Sequence, residues 1–391
     1  MAEYLKIKNF GPINHVELKD IKQLLVLVGE SASGKSTILK VLSMCRWIYK
    51  QQNIRCYLHS AGVSRSPFSH SINTYLESSG LLDSMKPDTL IHFKRDDVDI
   101  TIKAKDPFTP NTPGTLEVTE PLPNEWCLEK ICFITEKRNN LPDLLANRAK
   151  EKFAGYYLKE LYEEFTVAKK YIQEMNIASV DVRLRLNKNK GFESWMIESD
   201  NDNMKRYSIH LEDASSGIQS SASLEMLLAY YTKHFDIEAS MNNAVLKYLA
   251  SEDDLKYFRP IQNVGDVRKK CVDIHIEEPE MCLYPSNQIN LMNSLLASTL
   301  MDEHSYIVRT AITTHSPYLL NYLNLLFKAF DKNVNVSGVN LDFENVDVYA
   351  VTDGSIRDLK LKNAHLIDPA YLSEPIDEIY NQYEQIEKMQ K

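Results

Sequence analysis

The stretch LLVLVGESASGKST, residues 24–37, constrains the fold more than any other part of the chain. Five aliphatic residues, Leu24 to Val28, lead into Gly29, four intervening residues that include Ser31 and Ser33, and then Gly34, Lys35, Ser36 and Thr37. It matches the phosphate-binding pattern GxxxxGK[ST] at every fixed position. Glycines let backbone N–H groups turn inward around an anion, Lys35 supplies a point charge, and the Ser36 hydroxyl is suited to a magnesium ion. The residues that follow, TILKVLSMCRWI, have helical character, so the anion also meets a helix N-terminus. Strand before and helix after are the context this loop needs, and they predict an α/β fold.

A second stretch, VDIHIEEPE at 272–280, poses a problem that the first one solves. A strand carrying Val272, Ile274 and Ile276 ends in two adjacent glutamates, and burying a carboxylate is costly without a positive partner. Ligands of open α/β sheets bind beyond the carboxyl ends of the strands, where Glu277 and Glu278 emerge. Beside a phosphate loop, Glu277 is placed to hold magnesium, and Glu278 to orient or deprotonate an attacking water. Pro279 stops the strand.

The chain has 391 residues, 43% hydrophobic and 25% charged, enough for one large domain or two small ones. No apolar run reaches the roughly 18 residues of a membrane span, and MAEYLKIKNF lacks the shape of a secretion signal, so a cytoplasmic protein without membrane contact is expected. The six cysteines contain no CxxC pair, which predicts reduced thiols rather than disulfides or zinc. With 45 Lys and Arg against 54 Asp and Glu, the net charge of -9 gives no general footprint for nucleic acid. Arg183, Arg185, Lys188 and Lys190 in VRLRLNKNK would serve a local basic groove, but their alternation reads more simply as the solvated face of a strand.

Along the chain, residues 38–85 read as mostly helical and 90–104 as a hairpin turning near Arg95 to Asp97. Residues 105–125, with five prolines, read as a loop. Leu158, Leu161, Tyr162, Phe165, Ala168, Ile172 and Met175 form one helical stripe within 155–175, followed by three antiparallel strands over 180–210. A polar, partly helical insertion is expected at 236–268, two further strands in AITTHSPYLLNYL and VDVYAVTDGSIRDLKL, and a helix in the acidic tail from Pro375.

Two more segments bear on function. ASSGIQSSASLEMLLAYY sets Ser215, Ser216 and Gly217 directly before an apolar-periodic helix, and YIVRTAITTHSP delivers His315 to the end of a strand. Each alone is ordinary, a serine helix cap and a turn. In order and spacing with the phosphate loop and the EE strand end, they resemble the nucleotide-binding heads of ABC-type ATPases. The wording of IKNFGPI, ASSGIQ, EEPEMCLYP and ITTHSPYLL is similar to the branch containing RecF, the structural-maintenance-of-chromosomes heads and the ATPase part of overcoming-lysogenisation-defect proteins, including bacterial AAA-type ATP-binding proteins. The resemblance covers nearly the whole chain.

That resemblance implies a P-loop head with a central mixed sheet: a nucleotide-binding core from 1–40 and 211–391, and an inserted helical and β signature lobe from 41–210. It implies ATP and Mg2+ as cofactors, bound through Gly29, Ser31, Ser33, Gly34, Lys35, Ser36 and Thr37, with Ser36 and Glu277 at the metal. Glu278 would be the catalytic base and His315 the γ-phosphate sensor. Ser216 and Gly217 would reach the nucleotide of a second subunit, making a homodimer with ATP between two heads, or a larger assembly, and EMCLYPSNQ would take the place of the subunit-contacting D-loop. A separate effector protein and a role in defence against phage or mobile DNA are implied at the same level.

The departures are specific. The signature reads SSGIQ, with Ile218 where many transporters carry a second glycine, and the glutamine of the lid is missing. FITEKR offers Glu136 or Arg138 in its stead. No long coiled-coil arm, zinc hook or second carboxylate cluster for a nuclease stands out, Asp97 and Asp99 lying in the expected hairpin. Two alternatives stand beside an ATP-driven switch: a repair ATPase that binds DNA itself, and a nucleotide-gated scaffold with little turnover.

Overall fold

The computed structural model describes residues 2–63, 71–109, 112–122, 125–189, 192–199, 207–251, 267, 269–368 and 370–389. In chain order the strands are β1 (Glu3–Phe10), β2 (Ile13–Lys19), β3 (Leu24–Val28), β4 (Leu90–Arg95), β5 (Val98–Thr109), β6 (Thr112–Val118), β7 (Cys127–Ile134), β8 (Glu174–Ile177), β9 (Val182–Asn189), β10 (Phe192–Ser199), β11 (Tyr207–His210), β12 (Lys269–Glu277), β13 (Ile307–Thr314), β14 (Val346–Thr352) and β15 (Ser355–Asp358). The helices are α1 (Lys35–Ser60), α2 (Ile72–Ser78), α3 (Leu141–Leu145), α4 (Tyr156–Ala168), α5 (Ser216–Ala229), α6 (Ile237–Ser251), α7 (Pro285–Leu296), α8 (Pro317–Asp331) and α9 (Ala370–Met389).

Eleven strands form one mixed sheet in the order β6-β5-β4-β1-β2-β15-β14-β3-β13-β12-β7. The block from β14 to β7 is parallel, and β1, β2, β4, β5 and β6 form an antiparallel wing. The aliphatic run of β3 lies inside the parallel block and is buried on both faces, as such strands are. Leu24, Val26 and Val28 share one core with Val272, Ile274 and Ile276 of β12 and with the apolar faces of α5, α7 and α8. Leu25 and Leu27 enter a second core with Ile38, Leu39 and Leu42 of α1. Burial of each such side chain contributes roughly 1.5–3 kcal/mol, so the strand that precedes the phosphate loop is held from above and below.

A smaller antiparallel sheet, in the order β11-β10-β9-β8, packs with α4 and α5. Of residues 41–210, read as one inserted lobe, β4 to β7 join the main sheet, while α3, α4 and β8 to β11 build the smaller unit. The C-terminal half of α5 is tied to that unit, because the Glu225 carboxylate accepts from Ala178 N at 2.8 Å and Ser179 N at 3.0 Å in the β8–β9 turn.

Three local expectations are corrected. The proline-rich 105–125 stretch is not all loop: β5 runs to Thr109 and β6 pairs with it as the edge strand, the register shifting between Ala104 and Thr109. Strand edges and irregular registers are where proline is tolerated. The 155–175 stripe is cut at Ala168, and Met175 pairs with Leu184 in the small sheet, so cross-strand packing wins over helical period. The tail helix begins at Ala370, before Pro375. The 90–104 hairpin turns where expected, between Arg95 and Val98. In the 236–268 insertion α6 is present, and 252–266 lie outside the described residues. All six cysteines are free thiols.

In VRLRLNKNK, Leu184 and Leu186 are buried, and the arginines face acids on neighbouring strands: Arg183 pairs with Glu174 at 3.4 Å and Arg185 pairs with Glu198. This is the solvated strand face; Lys190 lies outside the described residues. On α9, Ile376, Ile379, Tyr383 and Ile386 are each more than half exposed. Among the described residues no helix is long and apolar enough to cross a membrane.

Candidate functional site

The carboxyl ends of β3, β13 and β12 are adjacent, and each delivers one part of the site. From β3 comes the loop Gly29–Gly34, ending at the first residue of α1. Gly29 cannot be replaced in place, since a Cβ there would lie 2.4 Å from Val351 O of the neighbouring strand. Lys35 is buried, and its ammonium bridges Gly29 O at 2.9 Å and Glu30 O at 2.7 Å. Burial lowers its pKa, opposed by the charges of Glu278 and Glu280. Ser31 is exposed, Ser36 and Thr37 are half-buried at the start of α1, and the buried Ser33 hydroxyl has no hydrogen-bond partner.

From β12 come the two glutamates, and they part company at once. Glu277 is 1% exposed; its Oε2 accepts from Thr135 Oγ1 at 3.1 Å and from Glu136 N at 3.3 Å. Its Oε1 is buried without a hydrogen-bond partner and stands 3.7 Å from Lys40 Nζ on α1. Burial, reinforced by the Glu136 carboxylate and opposed by Lys40, pushes the Glu277 carboxyl up to about 7. That buried carboxylate oxygen, without a hydrogen-bond partner and facing α1 one turn beyond Ser36, is a donor of the kind a hard divalent cation takes, for which oxygen ligands are the rule.

Glu278 turns outward with a left-handed backbone, φ +44°, a conformation that costs a non-glycine residue energy and persists where its surroundings impose it. The imposing group is Arg138. Its fully buried guanidinium donates to Glu277 O at 2.7 Å, Glu278 O at 2.5 Å, Pro279 O at 3.3 Å and Thr135 O at 3.2 Å. The open choice between Glu136 and Arg138 thus divides: Glu136 faces Glu277, and Arg138 fastens the EEP turn.

From β13 comes His315, whose Nε2 is 3.3 Å from Glu278 Oε1. Sequence reasoning missed the group that sets it there. Glu280 accepts from His315 N and from Thr314 Oγ1, both at 2.7 Å, and burial raises its pKa. The signal was present in EEPE, which carries a third glutamate in the same turn as the first two.

Also missed was the polar face beneath the site. Asp273, His275 and Glu277 share one face of β12, turned toward α1. Asp273 contacts Arg46 at 3.3 Å, Arg95 at 3.3 Å and Arg309 at 2.9 Å, Arg46 contacts Glu3 at 2.6 Å and His275 Nε2 at 3.2 Å, and Arg95 pairs with Glu129. Three guanidinium groups and three carboxylates are closed from water there.

Ser216 and Gly217 stand elsewhere. Ser215 takes the N-cap position of α5 without a side-chain capping bond, Ser215 and Ser216 are exposed, and none of α5 lines the cavity at the phosphate loop. Gly217 packs on the segment after the glutamates: a Cβ there would lie 2.6 Å from Cys282 O. Asp99 of the hairpin pairs with His92 at 2.9 Å, and among the described residues no group of three or more acids, histidines or cysteines is arranged for a metal.

No protein-family model and no curated protein matches the sequence. Among solved structures, the chain is similar to an SmcHead bound to the C-winged helix domain of ScpA, with 12% identity, a TM-score of 0.43, and 93% of this chain and 98% of that one covered. It is similar to the SMC head domain from Thermotoga maritima at 10% identity and a TM-score of 0.37, covering 91% and 97%. It is also similar to the recombination mediator protein RecF of the RecFOR pathway at 10% identity and a TM-score of 0.36, covering 92% and 98%.

Proposed function

We propose that the chain is an ATP hydrolase that works as a molecular switch, dimerising around ATP and controlling a partner effector or a DNA transaction. The observation that carries the reading is the contact between Glu278 and His315 at the ends of two neighbouring strands, beside the β3–α1 loop that holds Lys35. Lys35, the loop amides and the N-terminus of α1 bind the phosphates. Glu278 accepts a proton from the water that attacks the γ-phosphorus, the bond to the leaving diphosphate oxygen breaks, and ADP and phosphate result. His315 orients the transferred group and is itself held by Glu280 and Glu278. Ser36 and Glu277 would hold magnesium, which when bound supplies charge neutralisation at the phosphate oxygens.

The switch rests on the exposed start of α5. Ser216 and the α5 amides offer hydrogen-bond donors and the positive end of a helix to the γ-phosphate of a second subunit. The effector is read as a separate protein and the role as defence against phage or mobile DNA on the strength of the motif resemblance, and the setting as the cytoplasm on the sequence composition. The test is a pair of variants assayed for nucleotide binding and phosphate release. Lys35→Ala is expected to lose both, and Glu278→Gln to keep binding while turnover falls at least a hundredfold. Undiminished turnover in Glu278→Gln would remove the glutamate from the mechanism.

A further inference from the structure

The cavity at the phosphate loop, about 810 Å3, reaches well past the loop itself, from His315 to Tyr371 at the start of α9. That is in the upper part of the roughly 300–1,000 Å3 usual for small-molecule sites. Its far wall joins three segments distant in sequence. Asn14 N and His15 N donate to Gly354 O at 2.8 and 3.2 Å, and Asn14 Nδ2 donates to Asp353 O at 2.8 Å, locking the start of β2 to the β14–β15 turn. The hydroxyls of Tyr371 and Thr352 are 3.2 Å apart, fastening α9 to the same turn. The wall abuts the loop directly, since Ala350 pairs with Val28 and Val351 O closes on Gly29.

Tyr371 is half-buried, lines the cavity, and has the Arg357 guanidinium 5.3 Å from its ring centre. An aromatic ring held on one side by a cation and by a hydroxyl contact is a fixed platform for a flat π-system. Asn14 has committed its amide nitrogen to Asp353 O, which leaves its carbonyl oxygen, with the Asp353 carboxylate, as acceptors on the wall. Acceptors beside a stacking ring suit a base edge that carries N–H donors.

We propose that this far half of the cavity is a nucleobase site that takes a purine, with Tyr371 as the stacking residue and Asn14 and Asp353 as acceptors for the base edge. The proposal rests on the reading of the loop as a triphosphate site. It adds that the tail helix supplies the stacking residue, so α9 contributes to base affinity while the wall formed by β2 and the β14–β15 turn meets the base edge.

The experiment is equilibrium binding, with magnesium, of the β,γ-imido analogues of ATP, GTP and CTP and of inorganic tripolyphosphate. The proteins are the full chain, Tyr371→Ala, Tyr371→Phe and Lys35→Ala. The full chain is expected to prefer both purine analogues to the CTP analogue. Tyr371→Ala is expected to bind the purine analogues about tenfold more weakly, as for loss of one base–aromatic stack, with tripolyphosphate affinity unchanged; Tyr371→Phe should retain purine binding. A Tyr371→Ala variant that binds the purine analogues as before, or loses them and tripolyphosphate by equal factors, overturns the base site and leaves the phosphate loop standing. A full chain that binds neither nucleotide nor tripolyphosphate, or a Lys35→Ala variant that binds both undiminished, overturns the triphosphate reading and the base site with it.

Discussion

At the scale of single residues, removal of Arg138 should, like Glu278→Gln, separate binding from hydrolysis. It touches no expected ligand; it holds the three consecutive carbonyls of the EEP turn and that of Thr135, and so keeps Glu278 in its left-handed conformation. Arg138→Met strips charged donors from buried carbonyls, which should cost about 3 kcal/mol in urea unfolding. Nucleotide affinity should persist because Lys35 is untouched, while turnover falls at least tenfold. Arg138→Lys should recover part of the stability and less of the turnover, since one ammonium cannot span the same fork. Turnover equal to the unaltered chain would show that Glu278 does not need the clasp. The tandem glutamates were legible because the phosphate loop upstream gives an acidic pair at a strand end something to meet; alone, such a pair reads as a strand reaching the surface. Arg138 and Glu280 were not, because a buried arginine and a buried glutamate look in sequence like any surface charge, and only the turn they share reveals them.

At the scale of elements, the buried charge network explains how the wing and the parallel block act as one sheet. Glu3 of β1, Arg46 of α1, Arg95 of β4, Glu129 of β7, Asp273 of β12 and Arg309 of β13 meet under the strand that carries Glu277. A charge left unpaired in such a place is more costly than the pair is stabilising. Arg95→Met should therefore destabilise the protein by about 3–5 kcal/mol. The double variant Arg95→Met with Glu129→Gln should be less destabilised than the sum of the singles, measured as a double-mutant cycle in urea. Additive costs, or an Arg95→Met cost below about 1 kcal/mol, would mean that the network is open to water. The strands flanking the site were readable from aliphatic runs, since burial on both faces leaves a continuous pattern. The polar face of β12 was hidden: aspartate and histidine alternating with isoleucine read as a half-solvated strand, and only α1 packing over them shows otherwise. The same limit explains Met175, whose place was decided by a strand partner rather than by its own helical spacing.

At the scale of the whole molecule, the decisive contact is between the start of α5 and the segment that follows Glu278. Gly217 lies against Cys282 O, and Cys282 has φ +62°, so the exposed Ser216 and the Glu278 turn are parts of one packed unit. On the proposed function, a second subunit docking its nucleotide on Ser216 would press on the segment next to Glu278 and so would couple assembly to hydrolysis. Glu278→Gln should keep ATP bound and uncleaved. Its mass by light scattering after size exclusion should rise with Mg-ATP from the 45.0 kDa of one chain to about twice that, or to a multiple of the dimer. Adding Ser216→Arg should abolish the shift while ATP binding persists, because the long cation blocks the approach without touching Lys35. The coupling has its own signature: the rate of phosphate release per chain in the unaltered protein should rise with protein concentration, and that rise should vanish in Ser216→Arg. A mass that stays at one chain with ATP demonstrably bound would reduce Ser216 and Gly217 to the start of a helix, and the switch would have to work within a single head.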